Sequence, residues 1–552
     1  MKNLRILLYT LLSIFFLYAC AGSGDSAKET GSASTTDEYY TTEEAPLAEE
    51  SEMMSKDQAS ERKAKESAPI DHRGDTTRTE NTEEYEEIKE NPFVAAQQSP
   101  VTTFSIDVDN ASYSNVRRFI QSSQMPPANA VRIEEMVNYF SYNYPNPTSK
   151  HPFSITTEVA ECPWNPSHQL VHIGLQGKKL DYKELNPCNL VFLVDASGSM
   201  SDANKLPLLK KSLALLLDQL GDKDRIAIVA YAGAAGLVLP STPAKQKSKI
   251  LSALNSLESG GSTAGGEGIE LAYKIAKDNI IKGGNNRVIL ATDGDFNVGT
   301  SGDEALVKLI EEKRKDDIYL TICGFGMGNY KDGKMEKISN AGNGNYFYID
   351  NVQESKKVFV TEMRANLFTI AKDVKIQIEF NPQKVKGYRL LGYENRRLNN
   401  EDFDDDTKDA GELGAGHSVT AVYEIIPVGS ASIQMVSNTN EFKFESADFR
   451  KSTFASNELM NVRLRYKPIK SSTSVLLEQK LTDNPQKFTA SSEDFRFSAA
   501  VTGFGLLLRN SQYKGKANYA QIVKMAKSAL GKDPEGHRAE FVRLVEQAAL
   551  LK

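Results

Sequence analysis

The residues best equipped for chemistry stand at the end of an apolar run. Positions 189–200 read NLVFLVDASGSM, so an apolar stretch over 190–194 gives way abruptly to Asp195, Ser197 and Ser199. A carboxylate with two hydroxyls can be a nucleophile's surroundings, a metal site or a polar turn. A nucleophilic serine needs a base in hydrogen-bond reach. Ser197 lacks a Gly-x-Ser-x-Gly elbow, because Asp195 and Ser199 hold the glycine positions. None of the six histidines lies in a motif that pairs it with Ser197, and there is no His-Glu-x-x-His zinc motif or Gly-Lys-Ser/Thr phosphate loop. Two more segments add oxygen donors. In SGGSTAGGEGI, Thr263 sits in a glycine-rich loop before a helix, and in VILATDGDFN, Asp293 ends a second apolar run. Three hydroxyls and two carboxylates suit a hard divalent cation, Mg²⁺ first, with Mn²⁺ or Ca²⁺ as substitutes. A bare Ser/Asp turn would account for residues 195–199 alone and leave Thr263 and Asp293 unexplained.

Such a site requires elements that bring the three loops to one rim. The run at 190–194 has the near-continuous apolarity of a strand covered on both faces. Further strands are expected at 225–231, 236–239, 287–291, 318–323 and 345–349, with helices at 204–220, 267–280, 303–314 and 354–371 between and after them. This alternation predicts a doubly wound, mostly parallel α/β sheet. Ligands of such sheets bind beyond the carboxyl ends of the strands, where strand order reverses, and Asp195 and Asp293 occupy strand ends of that kind.

Asp195-Ala196-Ser197-Gly198-Ser199 resembles the Asp-x-Ser-x-Ser motif of the von Willebrand factor type A domain. Thr263 resembles that family's distant threonine, and Thr292-Asp293-Gly294 its Thr-Asp-Gly segment. The resemblance covers roughly residues 187–371. It implies a metal-ion-dependent adhesion site in which Ser197, Ser199 and Thr263 contact the metal and Asp195 and Asp293 act directly or through water. Neutral hydroxyls leave the cation with residual positive charge, so it can accept an acidic residue from a protein partner. The flanking segments TTFSIDVDNASYSNVRRFI, RIEEMVNYFSYNYP and AGELGAGHSVTAVYEI resemble a group of bacterial type A lipoproteins with an added N-terminal region and a C-terminal domain of unassigned function. The resemblance brings no known reaction, so the expected role is non-enzymatic, with a metal-dependent hydrolase as the alternative.

The chain has 552 residues, too many for one core. Its ends set the expected organisation. Lys2 and Arg5 precede a short apolar segment that reads as a secretory signal over 1–19. Leu17-Tyr18-Ala19-Cys20 resembles the bacterial lipobox, which implies lipidation of Cys20 and a membrane anchor. Ala21 after it points to the outer membrane under common lipoprotein sorting. Residues 21–100 carry 20 acidic and 8 basic side chains, a net −12 of the chain's −7, so the remainder holds +5. This segment, poor in aromatics, is expected as a disordered tether over 20–99, and its Arg73-Gly74-Asp75 is expected to be chance. No basic stripe points to nucleic acid.

The order expected after the tether is a mixed region over 100–186, the α/β domain over 187–372, and a β-rich domain over 373–552 ending in helices near 493–509 and 518–550. Because β-like segments lie on both sides of the α/β unit, the two sets are expected to share one sheet assembly, decided by contacts between 153–176 and 374–466. Cys162 and Cys188 could pair in an oxidising compartment. Asp107 and Asp109 resemble the start of a haloacid-dehalogenase-type phosphatase motif, but a strand-end turn is the expectation there. EDFDDDTKD at 401–409 lacks the glycine and glutamate of an EF-hand loop and should be a solvated acidic loop. His417 has no ligand-spaced neighbour.

Overall fold

The computed structural model describes residues 82–552, except 107–108, 182–184, 263–264, 295, 297–301, 433 and 435–456. All lie within one unit of the chain, Thr77–Lys552. The apolar run at 190–194 belongs to the strand Cys188–Asp195, buried along its whole length. It lies inside a six-stranded sheet ordered Tyr346–Ile349, Ile318–Phe325, Asn285–Thr292, Cys188–Asp195, Arg225–Tyr231, Ala235–Pro243. All neighbours are parallel except the last, where Ala235–Pro243 closes the edge antiparallel. Alternate residues of the Asp195 strand feed opposite cores. Leu190, Phe192 and Val194 join the layer built on the helix Leu206–Leu217, whereas Val191 and Leu193 join the layer with Ile269, Ala272 and Tyr273 of the helix Gly265–Asp278. Each such side chain contributes about 2 kcal/mol on burial, which is why no polar residue interrupts the run. Strand order reverses between Cys188–Asp195 and Asn285–Thr292, the adjacent strands that end in Asp195 and Thr292.

Strands from both sides of this body do share sheets. Gln169–Gly177 pairs antiparallel with Phe153–Glu161 on one side and with Ser418–Pro427 on the other. Val101–Ser105 pairs with Thr369–Phe380. Two antiparallel sheets result, and one apolar core contains Val171, Ile173, Val419 and Tyr423 from the first with Phe104, Ile376, Ile378 and Val462 from the second. A further core joins the helices Ala111–Gln121, Ile133–Asn138, Glu493–Leu508, Tyr519–Lys527 and His537–Leu550 to Leu170 and Val422. The molecule is thus a doubly wound, mostly parallel α/β sheet flanked by a β-rich domain with C-terminal helices.

Several local expectations are corrected. The helix expected over 354–371 is broken into Val352–Lys356, a π-turn Lys357–Thr361 and Met363–Leu367. Thr369 already belongs to a twelve-residue strand whose pairing with Gly414 begins there. The segment 518–550 forms two helices, because Gly531 and Gly536 adopt positive φ of 56° and 75° around Asp533-Pro534. Order begins well before residue 100. Thr82 and Glu84 donate backbone hydrogen bonds to Gly328 and Tyr330 carbonyls at 2.7 and 3.0 Å. Glu83 takes two bonds from Arg118, Asn91 donates to the Leu390 and Gly392 carbonyls, and Phe93 is buried. The acidic composition that predicted a tether up to 99 is offset over 82–99 by these long-range partners. Cys20, the signal segment and Arg73-Gly74-Asp75 lie outside the described residues. Among the described residues no helix is long and apolar enough to cross a membrane.

Candidate metal centre

Asp195 closes its strand fully buried. The Ser197 backbone N–H donates to Asp195 Oδ1 at 2.9 Å, while the Tyr231 and Thr292 hydroxyls donate to Oδ2 at 3.1 and 3.2 Å. Burial pushes the Asp195 carboxyl above the ordinary carboxylate range; hydrogen bonds from Ser197 pull it back, and the charge of Asp293 pushes it up again. Such a carboxylate gains from a nearby cation. The Ser197 and Ser199 hydroxyl oxygens lie 3.0 Å apart. Neighbouring ligands of an octahedral Mg²⁺, each about 2.1 Å from the metal, are also separated by about 3 Å, so this pair fits two adjacent positions of such a shell. Ser197's hydroxyl partner is therefore another hydroxyl.

Asp293 is fully buried one residue beyond the strand Asn285–Thr292. Gly294 turns the chain there with φ 104°, and a Cβ at that position would lie 2.8 Å from Tyr330 Cα. Thr263 lies outside the described residues, but the loop that leads to it is pinned to the Asp195 loop. Gly260 donates its N–H to the Ala196 carbonyl at 2.8 Å, and Gly198 donates to the Gly261 carbonyl at 3.2 Å. Asp195, Ser197, Ser199 and Asp293 thus gather where strand order reverses, with Gly260 and Gly261 against them.

Lys205 is a member of this cluster that the sequence pattern hides. Its ammonium donates to Asp293 Oδ2 and to the Ser199 carbonyl, each at 3.0 Å, and its side chain is only 7% exposed. It precedes a leucine-rich helix and reads as an ordinary solvated lysine; what marks it is that the side chain is walled in by a distant loop. Tyr231, which ends the strand on the other side of Asp195 from Thr292, is likewise not marked by the sequence pattern.

The remaining singled-out residues are spent on structure. Asp109 accepts from the Tyr346 N–H at 2.8 Å and pairs with Arg396, while Asp107 lies outside the described residues. The acidic loop is bound by internal cations and is not simply solvated. Lys375 donates to the Asp402 and Asp405 carbonyls, Lys467 to the Asp406 carbonyl, and Arg465 pairs with Asp404. Burial lowers His417 to about 4, keeping it neutral. Cys162 and Cys188 are free, buried thiols in two different cores, so the two do not pair.

Comparison with known proteins extends this description. A von Willebrand factor model matches residues 79–172, a von Willebrand factor type A domain model residues 189–361, and a model of the C-terminal part of the uncharacterized protein YfbK residues 365–551. The uncharacterized protein YfbK of Escherichia coli K12 is 43% identical over 475 residues, covering 85% of this chain and 81% of that protein. The uncharacterized protein sll0103 of a Synechocystis strain is 29% identical over 197 residues, 35% of this chain and 45% of its own. A solved von Willebrand factor type A structure from Catenulispora acidiphila aligns with 73% of this chain and 92% of its own, at 16% identity and a TM-score of 0.39. A type A domain points in general to protein–protein interaction or adhesion. With a type A domain model over its α/β body and YfbK similar along most of its length, this chain belongs to the von Willebrand factor type A family, in the group that includes YfbK.

Proposed function

We propose that the α/β body binds a divalent cation, Mg²⁺ or Mn²⁺, through Asp195, Ser197, Ser199, Thr263 and Asp293, and through it captures an acidic side chain of a protein partner. The observation that carries this reading is the pair of adjacent hydroxyls, Ser197 and Ser199, set 3.0 Å apart beside two buried carboxylates at the switch point of the sheet. Bound there, the cation would supply a Lewis-acidic position for an incoming carboxylate. The protein's own groups hold and orient it. Tyr231 and Thr292 fix the Asp195 carboxylate, and the backbone bonds of Gly198 and Gly260 hold the two loops together. The role proposed is binding and not catalysis, since Ser197 shares its hydrogen bond with a hydroxyl and not with a base. The lipobox at Cys20 supports a lipid-anchored envelope protein, and Ala21 favours the outer membrane.

The test is capture of envelope proteins by the full-length chain in detergent, with Mg²⁺ and with chelator, alongside calorimetric titration of Mg²⁺ and Mn²⁺. Asp195→Ala and Thr263→Ala are expected to abolish metal binding and the chelator-sensitive partners together. A partner set indifferent to chelator and to Thr263→Ala would remove the reading.

A further inference from the structure

A buried ammonium is an unusual neighbour for a cation site. Taking a lysine charge out of water costs several kcal/mol unless it is paired, and the surroundings of Lys205 are shaped to hold it. Its two acceptors, Asp293 Oδ2 and the Ser199 carbonyl, are each 3.0 Å away, and exposed Asp202 stands at 3.9 Å. Its aliphatic stem runs across Gly326, whose φ of 75° is a glycine conformation. A Cβ there would lie 2.3 Å from Lys205 Cε and 2.7 Å from Cγ. The Tyr348 hydroxyl holds the Gly326 carbonyl and fixes this shelf. One end of the lysine is therefore set by the Asp293 loop and its length by the loop after the strand Ile318–Phe325.

We propose that Lys205 is the resident cation of the site and sets its charge, so that it weakens the hold on the divalent metal and strengthens the hold on an anionic ligand. This rests on the metal-binding reading above. The charge count gives the reason. Asp195 and Asp293 together balance one divalent ion, and the hydroxyls are neutral. With Lys205 in place the loaded site keeps one net positive charge, which a single carboxylate of a partner neutralises. Without Lys205 the loaded site is already neutral and has less to offer an acidic ligand. In the metal-free protein the same ammonium offsets one of the two buried carboxylates, so the body depends less on metal to remain folded.

The experiment measures Mn²⁺ affinity of the full-length chain in detergent, with and without acetate as the carboxylate probe, and records melting in chelator. Lys205→Met is expected to bind Mn²⁺ at least about fivefold tighter, since a nearby positive charge in a partly buried setting opposes the metal by more than a kcal/mol. It should also show a smaller acetate-induced gain in Mn²⁺ affinity than wild type, a lower melting temperature in chelator, and a larger stabilisation by Mn²⁺. Gly326→Ala, which displaces the lysine stem without deleting its charge, should move affinity the same way by a smaller factor. Failure of the wild-type chain to bind Mn²⁺ overturns both readings. Wild-type binding with unchanged or weaker affinity in folded Lys205→Met and Gly326→Ala overturns this inference alone.

Discussion

At the scale of single residues, burial holds two interior histidines, His172 and His417, in their neutral form. His172 is buried between Tyr144 and Ser498, with hydrogen bonds of 2.7 and 2.9 Å to its two ring nitrogens. Desolvation holds its pKa near 4, below the usual 6.5. The unfolded chain therefore binds a proton at a pH where the folded chain does not, so stability is complete above about pH 6.5 and falls as pH drops toward 4. His172 alone accounts for about 3 kcal/mol of that loss. Urea unfolding measured from pH 7 to pH 4.5 should show a shallower pH dependence for His172→Gln than for wild type, even though the variant starts less stable at pH 7. An equal slope in both would show that other groups control acid sensitivity.

Between elements, charge holds the α/β body to the N-terminal helices. Arg117, on the helix Ala111–Gln121, is 1% exposed and donates to Asp350 at 2.5 and 2.8 Å and to Glu354 at 2.7 Å. Asp350 follows the edge strand Tyr346–Ile349, and Glu354 lies on the next helix. Removing the guanidinium would leave two buried carboxylates without it, so Arg117→Met should cost about 3–5 kcal/mol. Adding Asp350→Asn and Glu354→Gln should recover much of that, read as urea midpoints of the single and triple variants. Interactions like these explain which parts of the fold were legible in sequence. The Asp195 strand was plain, because a strand covered on both faces must be apolar throughout, and the strand-end carboxylates stood out against it. Lys205 was not, because its burial depends on Gly326, more than a hundred residues away. The helix expected at 354–371 looked regular in periodicity, but residues from Thr369 onward find better partners in Gly414 and Pro468.

Across the whole molecule, the segment before residue 100 acts as a strap. It crosses from Gly328 and Tyr330 on the α/β body, through Arg118, to Leu390 and Gly392 on the sandwich, and ends as the strand Val94–Ala95 paired with Tyr388 and Gly387. A chain begun at residue 100 should melt several degrees lower than one begun at residue 77 and become more sensitive to protease, because Arg118 loses Glu83 and Phe93 no longer fills its place in the interior. Equal melting temperatures would assign the strap no part in stability. Composition does not show this, since Glu83, Glu84 and Glu90 meet Arg118, Lys331 and Ser511, residues brought from elsewhere in the chain.

The sharing of strands across the α/β body also dictates an order of events during biosynthesis. Val101–Ser105 and Gln169–Gly177 leave the ribosome long before their partners Thr369–Phe380 and Ser418–Pro427 exist. The body between them can gather its own parallel sheet meanwhile, but the early strands must wait with open edges, a state prone to wrong pairing. The two sheets therefore close last, on pairings far apart in sequence, the kind that form slowly.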